Sequence, residues 1–201
     1  MQHWMARGLI SEPNPDLAAE MYNWASEYLA SEGYIQYEIS NWARRHRAGE
    51  VKTCSHNLQY WRNKPYLGFG AGAHGYAAGK RLNNVLSPKM YIKRLLDSRS
   101  SGNKYVSLDF PRTPASTSVQ TIDRATEMGE TMMMGLRLTQ EGVSVSEFEH
   151  RFGLPLVDVY GKQINRLISF GLLEWSGDKN ILLRLTPRGR ILGNQVFMEF
   201  V

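Results

Sequence analysis

The sequence predicts an α+β protein in which the end of an α/β repeat precedes a small winged-helix-like domain. Three patterns support this: a helix–glycine–strand run over 14–40, a segment rich in Ser, Gly, Pro and Thr over 98–118, and helices followed by two short strands and a last helix over 119–201. A strand closely following a helix is typical of α/β repeats, and a two-stranded wing after helices is typical of winged helices. We therefore divide the chain into a unit at 1–97, a linker at 98–118 and a domain at 119–201.

The first element is predicted to be an amphipathic helix that ends at a glycine. Asn14 can cap the helix, Pro15 suits its first turn, and Gly33 suits the left-handed backbone that follows a helix. Apolar residues at steps of three and four predict a packing face of Leu17, Met21, Trp24, Ala25, Tyr28 and Leu29. A strand should follow at 34–40, with Glu38 on its polar side as a general base, a ligand contact or a solvent-facing residue.

The rest of the first unit is predicted to be loops and short elements. A basic surface loop is expected at 42–54, a brief strand at 66–69 and a hairpin-like piece at 76–84. Ser87 and Pro88 predict the start of another helix. Its apolar residues are Met90, Tyr91, Ile92, Leu95 and Leu96.

The last domain is predicted to contain three helices, a wing and a closing helix. The helices are expected at 121–138, 144–152, 155–170 and 187–199, and the wing strands at 172–175 and 181–185. We interpret the Met-rich side of its first helix as core filling (Met128, Met132, Met133 and Met134). The third helix would be the recognition helix of a DNA-binding protein, but it carries only two cations, Lys162 and Arg166, so no nucleic acid is expected as a partner.

Composition narrows the functional classes. The formal net charge of +5 includes a basic cluster at 44–47 of the kind that can bind phosphates or carboxylates. Cys54 is the only cysteine, which excludes a disulfide framework and a Cys-rich zinc site and leaves too few thiolates for an iron–sulfur cluster. Neither a membrane-length apolar run nor a signal-peptide pattern occurs, so a cytoplasmic protein without a membrane span is expected.

One histidine stands among aromatic residues. His56 precedes Tyr60 and Trp61 by a few positions. A neutral imidazole can ligate a metal, and aromatic neighbours suit a flat, apolar ligand such as a porphyrin. A structural histidine in a loop fits the same pattern, so the residues alone leave both interpretations open.

A glycine-rich stretch follows at 70–75. It formally matches G-x-G-x-x-G, but no amphipathic helix begins at its end, so a dinucleotide site is not expected. A glycine-rich strand end lying against a ligand and a purely structural turn remain open. His74, inside this stretch, carries the same two alternatives.

Three collinear motifs resemble one family: YEISNWA at 37–43, HNLQYW at 56–61 and YLGFGAGAHGY at 66–76. They are similar to the C-terminal third of oxygen-independent coproporphyrinogen III oxidase-like radical SAM proteins, in the HemW-type haem chaperone branch. The segment at 170–200 resembles the C-terminal domain of that family.

The resemblance implies a partial (β/α) radical SAM barrel, holding a [4Fe–4S] cluster on a C-x-x-x-C-x-x-C motif with S-adenosylmethionine on the cluster. The helix and strand at 15–40 would be the last unit of that barrel, and 68–75 would line its mouth. This chain has no such cysteine motif. We therefore expect either part of a longer protein or a truncated relative, without radical chemistry of its own. An isolated barrel unit leaves an apolar face and a strand edge uncovered, which favours self-association.

The resemblance also implies a haem or tetrapyrrole ligand, with His56 as the metal ligand. The candidate cofactor-binding residues are His56, Asn57, Tyr60, Trp61, Gly68, Gly70, Gly72 and His74. Arg44, Arg45 and Arg47 would pair with propionates, because guanidinium suits carboxylate in bidentate geometry. A substrate-contacting part of a coproporphyrinogen III oxidase and a winged-helix DNA-binding protein are the alternatives.

Overall fold

The computed structural model describes residues 2–9, 11, 14–46, 49–100, 109–178 and 181–201. The helices are α1 (Gln2–Ala6), α2 (Pro15–Ser31), α3 (Ser55–Trp61), α4 (Pro88–Ser100), α5 (Arg124–Gly135), α6 (Val145–Phe152), α7 (Leu156–Ser169), α8 (Pro187–Ile191) and α9 (Gly193–Phe197). The strands are β1 (Tyr34–Glu38), β2 (Asn41–Arg44), β3 (His74–Ala77), β4 (Lys80–Asn84), β5 (Ser116–Thr121), β6 (Val143–Ser144), β7 (Leu173–Ser176) and β8 (Leu182–Leu185). Within the described residues they form antiparallel sheets ordered β1-β2, β3-β4-β5 and β6-β8-β7. The protein is therefore a mixed α/β fold.

Helix α2 begins and ends where the sequence predicts. The Asn14 side chain accepts hydrogen bonds from the backbone N–H groups of Asp16 (3.0 Å) and Leu17 (3.3 Å). These bonds satisfy donors that the first helical turn leaves unpaired. Gly33 follows the helix with a φ of +81°.

The predicted packing face of α2 is wrong. Four of its residues are more than half exposed: Leu17, Met21, Trp24 and Tyr28. The helix instead packs through Tyr22, whose hydroxyl donates to the carbonyl of Ile39 (3.1 Å) and whose ring lies 6.3 Å from that of Trp42. A two-stranded sheet is too narrow to cover both apolar sides of the helix, so the exposed stripe stays open.

The exposed stripe predicts concentration-dependent self-association, because contiguous apolar surface favours contact with another molecule. We expect Trp24→Ser to lower the weight-average sedimentation coefficient at high protein concentration. Trp4→Ser is the matched control, since Trp4 is similarly exposed (58%, against 66% for Trp24) but lies on α1. A parent chain that stays monomeric at every concentration, or equal effects of the two variants, would contradict the prediction.

Strand β1 is confirmed, but it pairs with a strand that was not predicted. It forms an antiparallel hairpin with β2, in which Tyr34 lies opposite Arg44 and Gln36 opposite Trp42. The expectation of a loop throughout 42–54 is therefore wrong at its start, where residues 42–44 belong to β2. A hairpin of two strands does not test the barrel interpretation, which stays a prediction.

The polar side of β1 is buried, contrary to the solvent-facing alternative for Glu38. Glu38 is 0% exposed and Gln36 is 8% exposed. The last domain covers this side. Thr139 donates its backbone N–H to the carbonyl of Tyr37 (3.2 Å) and its hydroxyl to that of Gln36 (2.6 Å), and Arg190 donates to the Gln36 side chain (3.1 Å). The alternation of polar and apolar residues does not predict exposure in β1, because both faces of the strand are covered.

The hairpin at 76–84 is confirmed as β3 and β4, joined through Ala78 and Gly79 with φ values of +50° and +67°. The strand expected at 66–69 is wrong: within the described residues, this segment forms an isolated bridge between Tyr66 and Tyr76. Helix α4 starts as predicted, but much of its apolar set is exposed, namely Met90, Ile92 and Leu96.

Strand β5 joins the two halves of the chain. It pairs with β4, with Leu82 opposite Val119. The predicted linker at 98–118 therefore contains the end of α4 and the start of β5, and its residues 101–108 lie outside the described part of the chain. The domain division stays a prediction, with β5 crossing its boundary.

The last domain follows the predicted order of elements. Asp123 caps α5 by accepting from the backbone N–H of Thr126 (2.9 Å), so α5 starts later than expected, and these hydrogen bonds hold the pKa of Asp123 below its usual value. Strand β6 was not predicted and pairs with β8. The single closing helix is wrong: α8 and α9 are separated at Leu192, whose φ and ψ are −97° and 20°.

The main core lies in this domain. Met132 is fully buried in it, which confirms core filling by the Met-rich side of α5. Its other buried members are Leu136, Val143, Phe148, Phe152, Leu156, Tyr160, Ile164, Leu167, Leu172, Leu173, Leu183, Leu185, Val196, Phe197 and Phe200. A smaller cluster of Tyr37, Ala43, Leu58 and Leu138 connects β1, β2 and α3 to the segment after α5. None of the helices described here is both long and apolar enough to cross a membrane.

Candidate functional site

Helix α3 presents the predicted ligand histidine to solvent. His56 is exposed on its first turn, two positions after the exposed Cys54. Its ring meets that of Tyr60 edge-on at 4.9 Å and 89°. Tyr60 in turn meets Tyr66 at 4.6 Å and 69°. We call His56, Tyr60 and Tyr66 the aromatic row.

The aromatic row is anchored to the second sheet. Tyr66 and Tyr76 exchange backbone hydrogen bonds of 2.7 and 2.9 Å. Burial raises the pKa of Tyr66, and the neighbouring Tyr60 raises it further. The phenol of Tyr66 is therefore neutral at pH 7, and the row places the His56 imidazole beside two aromatic rings. Such a surface suits a flat apolar ligand.

The predicted glycines form a turn that the protein holds with its own groups. A Cβ added to Gly68 would lie 2.0 Å from the carbonyl oxygen of His74. Gly70 has a φ of +101°, and its N–H donates to the Tyr91 hydroxyl (3.2 Å). The Asn84 side chain donates to the carbonyls of Gly68 (3.2 Å) and Gly70 (3.0 Å). These contacts supply a structural reason for the glycines, and their contact with a ligand stays a prediction.

The remaining candidate residues point in different directions. Gly72 has a φ of +70° and donates its N–H to the carbonyl of Val85 (2.9 Å). His74 is exposed at the start of β3, and Asn57 is half-buried on α3. Trp61 faces the last domain, where the guanidinium carbon of Arg137 lies 4.4 Å from its ring centre. The structure therefore brings His56 and Tyr60 together and directs Trp61 elsewhere.

The basic cluster lines a hollow beside the end of α2. Arg44 and Arg45 line a hollow of about 500 Å³ formed by the α2–β1 corner and β2. Arg44 also lies over the ring of Tyr34, at 5.9 Å. Arg47 lies outside the described residues. The pairing of these arginines with propionates stays a prediction.

A cleft of about 1100 Å³ lies between the end of α3, α5 and α6. Arg62 forms a two-point ion pair with Glu141 across it, at 2.9 and 2.7 Å, which raises the pKa of Arg62. Arg151 pairs with Glu127 (2.5 Å) and donates to the carbonyl of Asn63 (2.9 Å). These bonds attach the end of α3 to the last domain. We therefore interpret the cleft as a packing interface between α3 and that domain.

Metal binding by several protein side chains is not indicated in the described part of the chain. No group of three or more His, Cys, Asp or Glu residues there is arranged to hold a metal ion. Haem needs fewer protein ligands, because its iron is held by the macrocycle and by one or two axial ligands. The exposed imidazole of His56 fits that requirement.

Comparisons with known proteins identify relatives of this chain. The family model described as the HemN C-terminal domain matches residues 122–192. Heme chaperone HemW of Lactococcus lactis is 33% identical over 195 residues, covering 97% of this chain and 45% of the relative. Heme chaperone HemW of Bacillus subtilis is 34% identical over 197 residues, covering 98% of this chain and 46% of the relative. The chain thus spans less than half the length of these curated relatives.

The fold has a counterpart among solved structures. Coproporphyrinogen III oxidase (HemN) from Escherichia coli, a radical SAM enzyme, matches with a TM-score of 0.59 over 94% of this chain and 42% of that chain. Its 17% identity makes this a likeness of fold alone. The family model and the curated relatives relate the chain to the class of proteins with a HemN C-terminal domain. The chain itself is related to the C-terminal region of the HemW/HemN-like members of that class.

Sequence reasoning missed the residues that hold α3. Arg137 and the pair of Arg62 and Glu141 were not singled out. One signal was present: Arg137 is a lone cation in the otherwise apolar run MMMGLRL. A charge in such a run indicates a partner or a route to solvent, but the sequence does not say which.

Proposed function

We propose that this chain is a haem-binding C-terminal portion of a HemW-type haem chaperone, with His56 as an axial ligand. One observation carries the proposal: the His56 ring is exposed at the start of α3 and stands edge-on to Tyr60 in the aromatic row. An exposed imidazole can reach iron in a ligand that arrives from solvent. The relatives named heme chaperone HemW supply the ligand class.

A haem titration followed by visible absorbance tests the proposal. We expect the parent chain to shift the Soret band and His56→Ala to weaken binding by at least about 10-fold, because the variant removes the ligand that the iron would take. His150→Ala is the control, since His150 is also exposed but lies on α6. His74→Ala tests a second ligand. The absence of a Soret shift in the parent chain, or equal shifts in the parent and His56→Ala, would contradict the assignment of His56 as a haem ligand.

The full-length family would add chemistry that this chain does not supply. S-adenosylmethionine and a [4Fe–4S] cluster belong to the upstream barrel that the resemblance implies. With Cys54 as its one cysteine, this chain offers a single thiolate. We therefore infer a non-catalytic role for these residues.

We infer a winged-helix arrangement for the last domain from its order α5–β6–α6–α7–β7–β8. Despite this arrangement, the charges on α7 do not favour DNA binding. Arg166, one of the two expected phosphate contacts on α7, is paired with Glu199. The coproporphyrinogen III oxidase alternative rests on a likeness of fold and gains no specific support from the site.

A further inference from the structure

Arg137 lies where three elements meet. Its guanidinium carbon is 4.4 Å from the ring centre of Trp61 on α3 and 5.7 Å from that of Phe197 on α9. One of its terminal nitrogens is 3.9 Å from the carboxylate of Glu38 on β1. A single cation therefore contacts α3, α9 and β1.

Glu38 and the backbone fix Arg137 in this place. The Glu38 carboxylate is fully buried, and one of its oxygens accepts from the backbone N–H of Ser40 (3.0 Å) and the side chain of Asn41 (2.5 Å). The other oxygen, Oε2, makes no hydrogen bond within the described residues, and Arg137 is its counter-ion. Ile39 donates its N–H to the Arg137 carbonyl (3.1 Å). Both the main chain and the side chain of Arg137 are thus tied to the β1–β2 hairpin.

The contact with Trp61 acts on α3 as a whole. Trp61 is the last residue of this short helix, and His56 is on its first turn. A planar guanidinium stacks on an indole face, whereas a lysine ammonium of the same charge does not reproduce that flat contact. Since a short helix moves as a rigid body, holding Trp61 sets the direction in which His56 points.

We propose that Arg137 is a positioning residue that orients α3 and, through it, the haem-ligand candidate His56. The link to haem rests on the function proposed above, whereas the orientation of α3 does not. The ion pair of Arg62 and Glu141 is a second attachment of α3, but it is more exposed, with side chains 37% and 48% accessible. Leu58, buried in the smaller cluster, also attaches α3, so Arg137 is one of several attachments and the one that contacts Trp61.

Cys54 provides a direct reporter. It is exposed, it is the only cysteine, and it immediately precedes α3. The mobility of a nitroxide attached to Cys54 in the haem-free protein reports how firmly the start of α3 is held. In Arg137→Lys, which keeps a cation near Glu38 but loses the guanidinium over the Trp61 ring, we expect the label to become more mobile. Far-ultraviolet circular dichroism verifies that the variant is folded.

Two further variants separate positioning from general loosening. Arg62→Gln removes the exposed pair and should mobilise the label less than Arg137→Lys does. Trp61→Phe keeps an aromatic face for Arg137 and should mobilise the label less than Arg137→Lys. An unchanged label spectrum in Arg137→Lys, or the same change in Arg62→Gln, would overturn the positioning role.

Haem affinity tests the functional half of the proposal. We expect Arg137→Lys to bind haem about 10-fold more weakly than the parent, the lower end of the effect of disturbing a residue that orients a metal ligand. A mobilised label with unchanged haem affinity would overturn the link to His56. If His56→Ala binds haem like the parent, the proposed function fails, and the label experiment still decides whether Arg137 orients α3.

Discussion

Replacing Arg137 by methionine should lower the free energy of unfolding by about 3 kcal/mol, the lower end of the usual cost of removing one partner from a buried ion pair. Glu38 is 0% exposed, so the variant leaves its carboxylate without a counter-ion in a place that water does not reach. We expect the lower end of that cost because the Arg137 guanidinium and the Glu38 carboxylate are 3.9 Å apart and the Arg137 side chain is 25% accessible. Urea unfolding with a shared m-value measures the difference.

A double-mutant cycle identifies the cause of that loss. In Glu38→Gln the side-chain oxygen can still accept from Ser40 and Asn41, while the buried charge is removed. We therefore expect Glu38→Gln/Arg137→Met to be more stable than Arg137→Met alone, because no uncompensated carboxylate remains. Equal stability of the double and single variants would mean that Arg137 contributes through packing on Trp61 and Phe197 instead.

Local signals predicted many of the elements, because their causes are local. The cap at Asn14, the cap at Ser144, and the core periodicity of α7 at Leu156, Tyr160 and Ile164 all appear in the structure. Each depends on residues a few positions apart, which the sequence displays directly. The same holds for the turn between β3 and β4, where a glycine follows Ala78.

The errors arise where distant segments decide the outcome. The polar side of β1 is buried because Thr139 and Arg190 cover it from more than a hundred positions away along the chain. The apolar stripe of α2 is exposed because, within the described residues, the adjacent sheet has two strands. Neither fact can be read from the spacing of apolar residues within the segment. That spacing shows that an element is amphipathic, but it does not show which surface covers it.

In the candidate site, too, the sequence predicted local contacts but not contacts between distant segments. The motif around His56 indicated a ligand residue among aromatic rings, and the structure places His56 beside Tyr60 as a local helix contact. The contact of Tyr60 with Tyr66 and that of Trp61 with Arg137 depend on how α3 is docked. Sequence reasoning therefore found the residues of the motif but not the residues that orient it.

Gly68→Ala should be among the most damaging single substitutions in the first unit. The added methyl would lie 2.0 Å from the carbonyl oxygen and 2.7 Å from the carbonyl carbon of His74. Both are backbone atoms of the first residue of β3, which is paired with Asn83 on β4, so they cannot swing aside as a side chain would. We expect a loss of about 3 kcal/mol or more, at or beyond the upper end of the usual overpacking cost. Chemical denaturation measures it.

Gly161→Ala is the matched control for that substitution. Gly161 lies inside α7, and a Cβ added there meets nothing within 4 Å. Alanine should therefore stabilise the helix by about 0.5–1 kcal/mol, since it restricts the unfolded chain more than glycine does. Opposite signs for the two variants would assign the loss at Gly68 to its contact with β3. A neutral Gly68→Ala would instead mean that the glycine-rich turn can move away from β3. In that case the close approach at His74 would not be the reason for a glycine at position 68, and contact with a ligand would become the favoured explanation.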